Sequence, residues 1–436
     1  MKRQIHFLFA LLCCAFLLLN NGCKKAKVTV VPNKIGGVYE TGETAVWTLK
    51  FPEHMRVDSL TYTIKKGGLT LLEKGILKPK DKKATISHRF TEPGAVLLHF
   101  RWKDENNEPV RLSAGAIASP EKIVLSANKP NDFDSFWESQ IDLLKKIPKN
   151  TKLSKEGSES FGVDYFKITM DNINGTKIRG QLARPSKEKK LPALLILQWA
   201  GVYPLQKNWV IDKAEDGWLA LNINPHDLPI DEAESFYEEQ MNGALKNYPS
   251  ICNESKYNSY FLRMYLSCFR AAQYLTERSD WDGETLVVMG ASQGGLQSLM
   301  TAGLHPKISA SLALVPAGFD MHGPVVGRQG GWPQWYKKIE HKDSIKVRET
   351  SRYYDVANFI PQIKCPVLVG IGLLDETCPP EGIYAGMNQL LTQKEIIVLP
   401  NSMHQNINDS HQPYYERAEE YWLPKLLEGQ IPTTTN

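Results

Sequence analysis

The sequence lacks the short motifs with which several large enzyme classes hold a metal ion or a nucleotide. It has seven cysteines among 436 residues, and none of them stand in a Cys-x-x-Cys pair. Its ten histidines include no His-Glu-x-x-His spacing, and no Gly-x-Gly-x-x-Gly follows an apolar run. These absences exclude the common zinc and dinucleotide motifs. The sequence therefore predicts no metal site and no cofactor.

A strong excess of one charge is also missing. The formal net charge is +4, from 52 Lys and Arg against 48 Asp and Glu. Basic residues cluster in short runs such as 80–83 and 187–190, and each of these runs contains an acidic residue. Such runs are typical of solvated loops, whereas a nucleic-acid-binding chain carries a long basic stripe. The sequence predicts no nucleic-acid partner.

The apolar run near the N-terminus is too short to span a membrane comfortably. Met1-Lys2-Arg3 precedes 13 apolar residues, Phe7 to Leu19, which predicts a signal peptide over residues 1–22. The following Asn20-Asn21-Gly22-Cys23 resembles a bacterial lipoprotein processing site. It predicts that Cys23 becomes the lipidated first residue of an exported chain, at the periplasmic face of the outer membrane or at the cell surface. A plain secreted protein with an ordinary Cys23 is the alternative.

Four cysteines besides Cys23 would remain after such processing: Cys252, Cys268, Cys365 and Cys378. An even number in an exported chain allows two disulfides, but the sequence predicts no particular pairing. Cys365 opens an apolar run and is expected to be a small core residue.

The most informative feature that is present is the segment 290–295, Gly-Ala-Ser-Gln-Gly-Gly, directly after the apolar run 285–289. A strand that runs into Gly-x-Ser-x-Gly is the nucleophile elbow of α/β-hydrolases. Small neighbours are needed there because the turn brings strand and helix close together. The pattern predicts Ser292 as a nucleophile and the Gln293 N–H as a donor to an oxyanion. A tight turn with an incidental serine is the alternative at this step.

Two later strands each end in a loop that carries a candidate partner for Ser292. One apolar run leads to Asp375, and the next leads to His404. The chain order serine, acid, histidine is that of the α/β-hydrolase triad. Together these positions favour a triad over the separate alternatives of a turn carboxylate and an ordinary loop histidine. His411 is the rival base, but no strand precedes its polar stretch.

The chain divides into two regions with different periodicity. Over residues 27–115, short stretches of alternating polar and apolar residues are separated by turn signals, and no helical run occurs. This texture predicts a small immunoglobulin-like β-sandwich over 23–117 that serves as a spacer or packing module. Trp47 and Trp102 are expected to face its core, with stacking on sugars as the alternative.

The second region, residues 130–430, alternates buried strands with helices. This alternation predicts a mostly parallel sheet covered on both faces. The fold class is therefore α/β, with an α/β-hydrolase domain preceded by the all-β sandwich and joined to it by a loop-like link at 116–131. Residues 320–355, rich in Gly, Trp and charge, are expected to form an insertion over the active site.

Two helices are predicted within this region. The first begins at Phe133, with Asn131 or Asp132 available as its N-cap. The second spans Tyr260 to Glu277 and leads to the elbow strand.

Three motifs of the second region occur together in one known family. Residues 132–137 are similar to its opening Asp-Phe-Asp-x-Phe-Trp helix, and residues 290–295 match its Gly-x-Ser-Gln-Gly-Gly elbow. Gly372 to Pro380 match its acid loop. Over about residues 130–427 the chain thus resembles the acetyl xylan esterase / cephalosporin C deacetylase family, carbohydrate esterase family 7. The resemblance implies an esterase that removes acetyl groups from sugars such as acetylated xylan or xylo-oligosaccharides.

The chain departs from that family in the loop at 198–203. Gln198-Trp199-Ala200-Gly201-Val202-Tyr203 stands where the family has a His-Gly-Tyr segment after a strand. The resemblance implies that the second oxyanion N–H comes from this loop, at Val202 or Tyr203.

Two further departures lie at 224–226 and 405. Asn224-Pro225-His226 replaces an Arg-Gly-Gln motif that shapes the family's site and assembly, so neither the substrate range nor a homo-oligomer carries over directly. His226 is predicted either as a pocket residue or as a loop histidine bonded to backbone. Gln405 follows His404 where the family has a His-Glu pair.

These residues together predict a serine esterase acting on acetylated carbohydrate. His404 is expected to take the Ser292 proton during attack on a carbonyl, while Asp375 fixes the imidazole. One alternative is a serine hydrolase of another substrate class, such as a peptidase or an aryl or feruloyl esterase. The other is a non-catalytic carbohydrate-binding lipoprotein.

Overall fold

The structure of the protein is a computed structural model that describes residues 27–187, 189–337, 339 and 341–434. The predicted signal peptide and Cys23 lie outside these residues. Within them, no helix has the length and apolar character needed to cross a bilayer. An all-β region comes first and is followed by a larger α/β region.

The N-terminal region consists of two β-sheets that pack around a shared core. Its strands are β1 (Thr29–Pro32), β2 (Val38–Tyr39), β3 (Thr44–Lys50), β4 (Leu60–Lys66), β5 (Thr70–Leu77), β6 (Lys83–Arg89), β7 (Gly94–Lys103) and β8 (Pro109–Ala118). They form a three-stranded sheet in the order β1-β3-β6 and a five-stranded sheet in the order β2-β8-β7-β4-β5. Trp47 and Trp102 lie buried in the core between the sheets, as predicted.

The second region is built on a nine-stranded sheet in the order β17-β16-β15-β14-β12-β13-β11-β10-β9. Its strands are β9 (Lys152–Glu156), β10 (Val163–Asp171), β11 (Lys177–Pro185), β12 (Leu191–Leu197), β13 (Leu219–Ile223), β14 (Trp281–Ala291), β15 (Ala310–Leu314), β16 (Val367–Gly372) and β17 (Lys394–Leu399). The pairs among β12 to β17 are all parallel, and β9, β10 and β11 add antiparallel pairs at one edge. The predicted α/β fold with a mostly parallel sheet is confirmed.

Helices cover both faces of this sheet. They are α1 (Phe133–Lys145), α2 (Asn208–Glu215), α3 (Glu234–Asn242), α4 (Tyr260–Thr276), α5 (Gln293–Leu304), α6 (Ser344–Tyr354), α7 (Pro380–Met387), α8 (Gln412–Arg417) and α9 (Leu423–Leu427). Helices α1, α4 and α5 contribute to the core on one face, and α2, α8 and α9 contribute to the core on the other. Every residue of β13, β15 and β16 is buried, as expected of parallel strands covered on both sides.

The starts of α1 and α4 show how local sequence sets these elements. Helix α4 begins after Ser259, whose hydroxyl accepts a hydrogen bond from the Phe261 N–H. Helix α1 begins at Phe133 as predicted, but Asp132 does not cap it through its side chain. Its carboxylate instead bonds to Lys256 at 2.6 Å, so an ion pair to another segment takes the place of a local cap.

The predicted insertion at 320–355 is divided between two locations. Trp332 lines the cavity beside Ser292. Asp320 and Arg328, in contrast, are buried and bonded to each other at 2.6 Å where the α/β region meets the sandwich. The prediction of an insertion over the active site therefore holds for only part of the segment. Cys252, Cys268, Cys365 and Cys378 are all free thiols, and Cys365 is buried as predicted.

Candidate active site

Ser292 lies at the turn between the end of β14 and the start of α5. Its backbone has φ 56° and ψ −118°, a conformation that residues other than glycine adopt rarely. Such strain is held in place only where the surrounding packing leaves no alternative. The Ser292 N–H donates to the carbonyl of Leu314, the last residue of β15, at 2.9 Å, and the Ser292 carbonyl accepts from the Ala317 N–H just beyond that strand at 3.0 Å.

The glycines around Ser292 are required by close approach of backbone. A Cβ atom at Gly294 would lie 2.2 Å from the Leu197 carbonyl oxygen, and one at Gly290 would lie 2.6 Å from the same atom. At Gly295 it would lie 3.0 Å from Pro316 Cβ. The predicted reason for small residues at this turn is thus confirmed, and at Gly290 and Gly294 the last carbonyl of β12 is one of the atoms that demand it.

Hydrogen bonds join Ser292, His404 and Asp375 in one chain. Ser292 Oγ is 2.9 Å from His404 Nε2, and His404 Nδ1 is 2.7 Å from Asp375 Oδ2. Because a carboxylate accepts, Nδ1 carries the proton and Nε2 is free to accept from the serine hydroxyl. The other carboxylate oxygen, Oδ1, accepts from the Thr377 and Cys378 N–H groups, each at 2.8 Å. The buried carboxylate is therefore fixed from both sides.

His411, the rival base, bonds to backbone, and among the described residues Ser292 Oγ bonds to His404 instead. Its Nε2 is 3.3 Å from the Met403 carbonyl oxygen. Burial lowers the pKa of His411, which favours the neutral ring. The side chain borders the same cavity as Ser292, but its hydrogen bond supports the loop that carries His404.

A cavity of about 420 Å³ opens over Ser292 Oγ. Its walls come from the elbow, from the acid and histidine loops, and from the loop at 198–203. They are formed by Trp199, Ala200, Ala291, Ser292, Leu314, Val315, Trp332, Thr377, His404, Gln405, Asn406, His411 and Tyr415. The mixture of aromatic, apolar and amide groups suits a small polar substrate with apolar faces.

The loop at 198–203, here called the oxyanion loop, is oriented by His226. His226 Nε2 is 2.8 Å from the Gly201 carbonyl oxygen, and Nδ1 is 2.6 Å from the Tyr260 hydroxyl. The carbonyl can only accept, so Nε2 carries the proton and Nδ1 accepts from Tyr260. In a trans peptide the N–H points opposite to the C=O, so the Val202 N–H is directed away from His226. In the part of the chain that the structure describes, no hydrogen bond engages this N–H.

Of the two predicted roles for His226, bonding to backbone is the one observed. The imidazole is buried, and burial lowers its pKa to about 4. It is therefore neutral at ordinary pH. The pattern left a pocket role open because the carbonyl partner, Gly201, lies 25 residues away along the chain.

The side chain of Gln293 connects the elbow to the same loop. Its Oε1 accepts from the Tyr248 hydroxyl at 2.5 Å, and its Nε2 is 3.5 Å from the Gln198 carbonyl oxygen. Tyr248 also packs edge-on against the His226 ring at 4.7 Å between centroids. Sequence reasoning assigned Gln293 only a backbone role and missed Tyr248 and Tyr260, which carry no motif.

Tyr203, the other predicted oxyanion candidate, serves the loop through its side chain. Its hydroxyl donates to the Trp199 carbonyl at 2.8 Å, and its ring stacks on the Trp199 indole at 5.1 Å. The ring thereby braces Trp199 at the wall of the cavity.

The sandwich packs directly against the loop that carries Asp375. A Cβ atom at Gly115 of β8 would lie 2.7 Å from the Leu373 carbonyl oxygen. His99 Nε2 of β7 is 3.4 Å from Glu376 Oε1, and the Ala95 N–H donates to Glu381 Oε2 at 3.0 Å. The expected spacer or packing module is thus a structural neighbour of Asp375.

One group of possible metal ligands occurs at this place, formed by Asp375, Cys378 and His404, whose ligand atoms lie within 4.8 Å of one another. The carboxylate and imidazole already bond to each other. Burial holds the pKa of the Cys378 thiol well above its usual value, so it remains protonated. The hydrogen bonds account for the cluster as an acid–base pair with a buried thiol beside it.

Ser292 at a strand-to-helix turn, bonded through a histidine to a buried aspartate at the carboxyl end of a mostly parallel sheet, has the arrangement of an α/β-hydrolase. The chain also matches the model of the acetyl xylan esterase (AXE1) family over residues 124–423 of 436. It belongs to the acetyl xylan esterase family and is a carboxylic ester hydrolase. The resemblance found in the sequence is confirmed.

Similar proteins agree with this assignment. Acetyl esterase Axe7A of Xylanibacter ruminicola is 30% identical over 416 residues, which cover 91% of this chain and 90% of that protein. Acetyl xylan esterase from Paenibacillus sp. R4 superposes with a TM-score of 0.60 at 23% identity, over 72% of this chain and 98% of that chain. Acetyl xylan esterase 1 from Thermoanaerobacterium sp. JW/SL YS485 gives 0.59 at 20% identity, over 71% and 97%. The two solved structures establish the shared fold, and the family match begins after β8.

Proposed function

We propose that this protein is a serine esterase that removes acetyl groups from carbohydrate esters such as acetylated xylan or xylo-oligosaccharides. The observation that carries the proposal is the hydrogen-bond chain from Ser292 through His404 to Asp375. Membership of the acetyl xylan esterase family and similarity to an acetyl esterase support the acetyl group as the one removed.

The reaction follows from the direction of the hydrogen bonds. His404 Nε2 accepts the Ser292 proton as Oγ attacks the ester carbonyl carbon. The same nitrogen then gives that proton to the departing sugar oxygen, which leaves an acetyl-enzyme. Water, deprotonated by His404, releases acetate and restores Ser292. Asp375 keeps the imidazole in the required tautomer and stabilises its protonated form in both steps.

Two backbone N–H groups are proposed to bind the oxyanion of the tetrahedral intermediate. Gln293 is the first residue of α5, and a helix leaves the N–H groups of its first turn without helical partners. Val202 supplies the second, because the His226 bond to Gly201 turns the Val202 N–H away from the buried side of the oxyanion loop. Tyr203 is the weaker candidate since its peptide has no comparable anchor.

A serine variant tests the proposal. Ser292→Ala should lower kcat for p-nitrophenyl acetate and for acetylated xylo-oligosaccharides by about 10³-fold or more, as expected of a triad serine. Ser135→Ala, on the exposed side of α1, is the control and should retain wild-type rates. Equal, slow hydrolysis by wild type and Ser292→Ala would remove the catalytic claim. Cleavage of aminoacyl amides in place of acetylated sugars would move the enzyme to another substrate class.

We also propose that Cys23 is lipidated and anchors the enzyme at the periplasmic face of the outer membrane or at the cell surface. The support is the basic and apolar N-terminal pattern that ends in Gly22-Cys23. Lipidation gives attachment without a membrane span. Mass analysis of the mature N-terminus should show a diacylglyceryl adduct on Cys23, and Cys23→Ser should release the protein from membranes. An unmodified Cys23 or cleavage elsewhere contradicts the anchor.

A further inference from the structure

A second cavity, of about 350 Å³, lies beside the catalytic one on the face of the sheet between α2 and α8. The two share four lining residues, Trp199, Ala291, Leu314 and Tyr415. The side cavity therefore continues the catalytic cavity along one direction. Its volume lies in the range of small-molecule sites, from about 300 to 1,000 Å³.

The side cavity presents fixed aromatic surface to solvent. Trp199 is 46% exposed, although Tyr203 stacks on its indole at 5.1 Å and Trp209 meets it edge-on at 5.3 Å. Tyr415, which lines both cavities, is 39% exposed. An exposed aromatic ring that its neighbours hold in place is a mark of a binding surface, because its apolar area stays in water until a ligand covers it.

Polar and apolar groups both line this cavity. The polar ones are Asn208, Asp212, Lys213 and Glu419, and the Lys213–Glu419 ion pair joins α2 to the π-helical segment that follows α8. The strand residues Ile196 and Met289 are among the apolar ones and keep some exposed surface.

We propose that this cavity is a glycan subsite that binds a sugar ring of the substrate chain next to the ring whose acetyl ester is cleaved. The inference rests on the proposed function, since a polysaccharide must extend beyond the ring at Ser292. A pyranose has C–H faces that pack on aromatic rings and hydroxyls at its edge that bond to amide, carboxylate and ammonium groups. An alkyl chain of a longer ester would instead remove water from Asp212 and Lys213 without replacing its hydrogen bonds.

Paired substrates and variants test the subsite. For wild type, kcat/KM should be at least about tenfold higher for acetylated xylotriose than for acetylated xylose, the worth of one well-placed aromatic contact. Trp209→Ala should abolish this preference through KM, and Trp209→Phe should restore most of it. Asp212→Asn should reduce it about threefold, because a neutral amide oxygen accepts a weaker hydrogen bond than a carboxylate does. Glu215→Gln, also exposed on α2 but outside the cavity, should keep the wild-type preference.

A binding measurement tests the subsite independently of the hydrolysis reaction. Unacetylated xylotriose titrated calorimetrically into Ser292→Ala should bind, and the double variant with Trp209→Ala should bind at least about tenfold more weakly. An unchanged chain-length preference in Trp209→Ala and Asp212→Asn overturns the inference. Selective loss of p-nitrophenyl octanoate hydrolysis in these variants also overturns it and assigns the cavity to an acyl chain. If wild type cleaves p-nitrophenyl acetate but releases no acetate from either sugar, the proposed function fails and the subsite fails with it.

Discussion

The two loops beside Ser292 are held in place by opposite means. The acid loop, residues 373–379, and the start of α7 after it are fixed by carboxylates that bond to the β-sandwich, through the His99–Glu376 pair and the Ala95 bond to Glu381. The oxyanion loop is fixed by neutral, buried groups of its own domain, with the His226 bond to Gly201 as its main anchor.

This difference follows from what each loop presents to the substrate. The acid loop presents the Asp375 side chain, whose Oδ1 accepts from the Thr377 and Cys378 N–H groups and whose Oδ2 bonds to His404. The oxyanion loop is proposed to present an N–H dipole to a charge that exists only during the reaction. A fixed negative charge beside that dipole would oppose the oxyanion, whereas a neutral histidine and tyrosine orient it without adding charge. The comparison can be tested from each side.

Replacing Asp375, the carboxylate of the acid loop, should have the largest effect on catalysis. Asp375→Asn should lower kcat for p-nitrophenyl acetate by about 10⁴-fold, because the amide no longer selects the histidine tautomer or stabilises the imidazolium. Asp409→Asn, an exposed carboxylate five residues beyond His404, is the matched control and should stay near wild type. A loss of less than about tenfold in Asp375→Asn would mean that His404 acts without its acid.

The neutral character of the oxyanion side should appear in the pH dependence of unfolding. The pKa of His226 falls from 6.5 to about 4 on folding. Between these values the unfolded chain binds a proton that the folded chain does not, so this stability is present above pH 6.5 and is lost as the pH falls through 4. The contribution is about 3 kcal/mol. Urea unfolding at pH 7.5 and 4.5 should show a smaller loss for His226→Gln than for wild type; equal losses would contradict a neutral His226.

Substitutions of His226 distinguish an effect on the orientation of the Gly201–Val202 peptide from an effect on substrate binding. His226→Ala should lower kcat about 10²-fold with little change in KM, since the Gly201–Val202 peptide loses its anchor and an oxyanion donor turns away. His226→Gln, whose amide can donate to the same carbonyl, should recover most of that activity. His305→Ala is the matched control, because His305 is also buried with a pKa of about 4 but lies at the end of α5 away from the site. Equal kcat values for His226→Ala and wild type would exclude the positioning role.

Displacing the acid loop with a methyl group on β8 of the sandwich should have the smallest effect on catalysis. Gly115→Ala places a methyl group 2.7 Å from the Leu373 carbonyl oxygen, which should lower the free energy of unfolding by about 1–3 kcal/mol. It should also reduce kcat several-fold by shifting the loop that carries Asp375. Gly36→Ala, in the same sandwich with no atom within 4 Å of the new methyl group, is the control for both measurements. If the two variants behave alike, the sandwich does not position the acid loop.

Sequence patterns were sufficient for the parts of the site that depend on local structure. The elbow, the strand before each triad residue and the helix that begins at Tyr260 are short-range features with their own periodicity or glycine signals. The structure also matches the predicted physical cause at Gly290 and Gly294, which meet the Leu197 carbonyl.

Contacts between distant segments carry no such signal. Gly115 resembles any strand glycine until β8 is seen against Leu373, and Asp132 resembles a helix cap until Lys256 is seen beside it. His226 was ambiguous for the same reason, since its partners Gly201 and Tyr260 come from separate elements. These features became visible only once the topology brought the elements together.

The close contact of β8 with the acid loop limits where the chain can be truncated. A fragment that starts at residue 124, where the family match begins, would remove the Ala95 N–H from the buried carboxylate of Glu381 and uncover Leu373 and Leu374. Expression of the esterase region alone is then expected to yield an aggregation-prone product, and a fragment for crystallisation should retain the β-sandwich that contains β7 and β8.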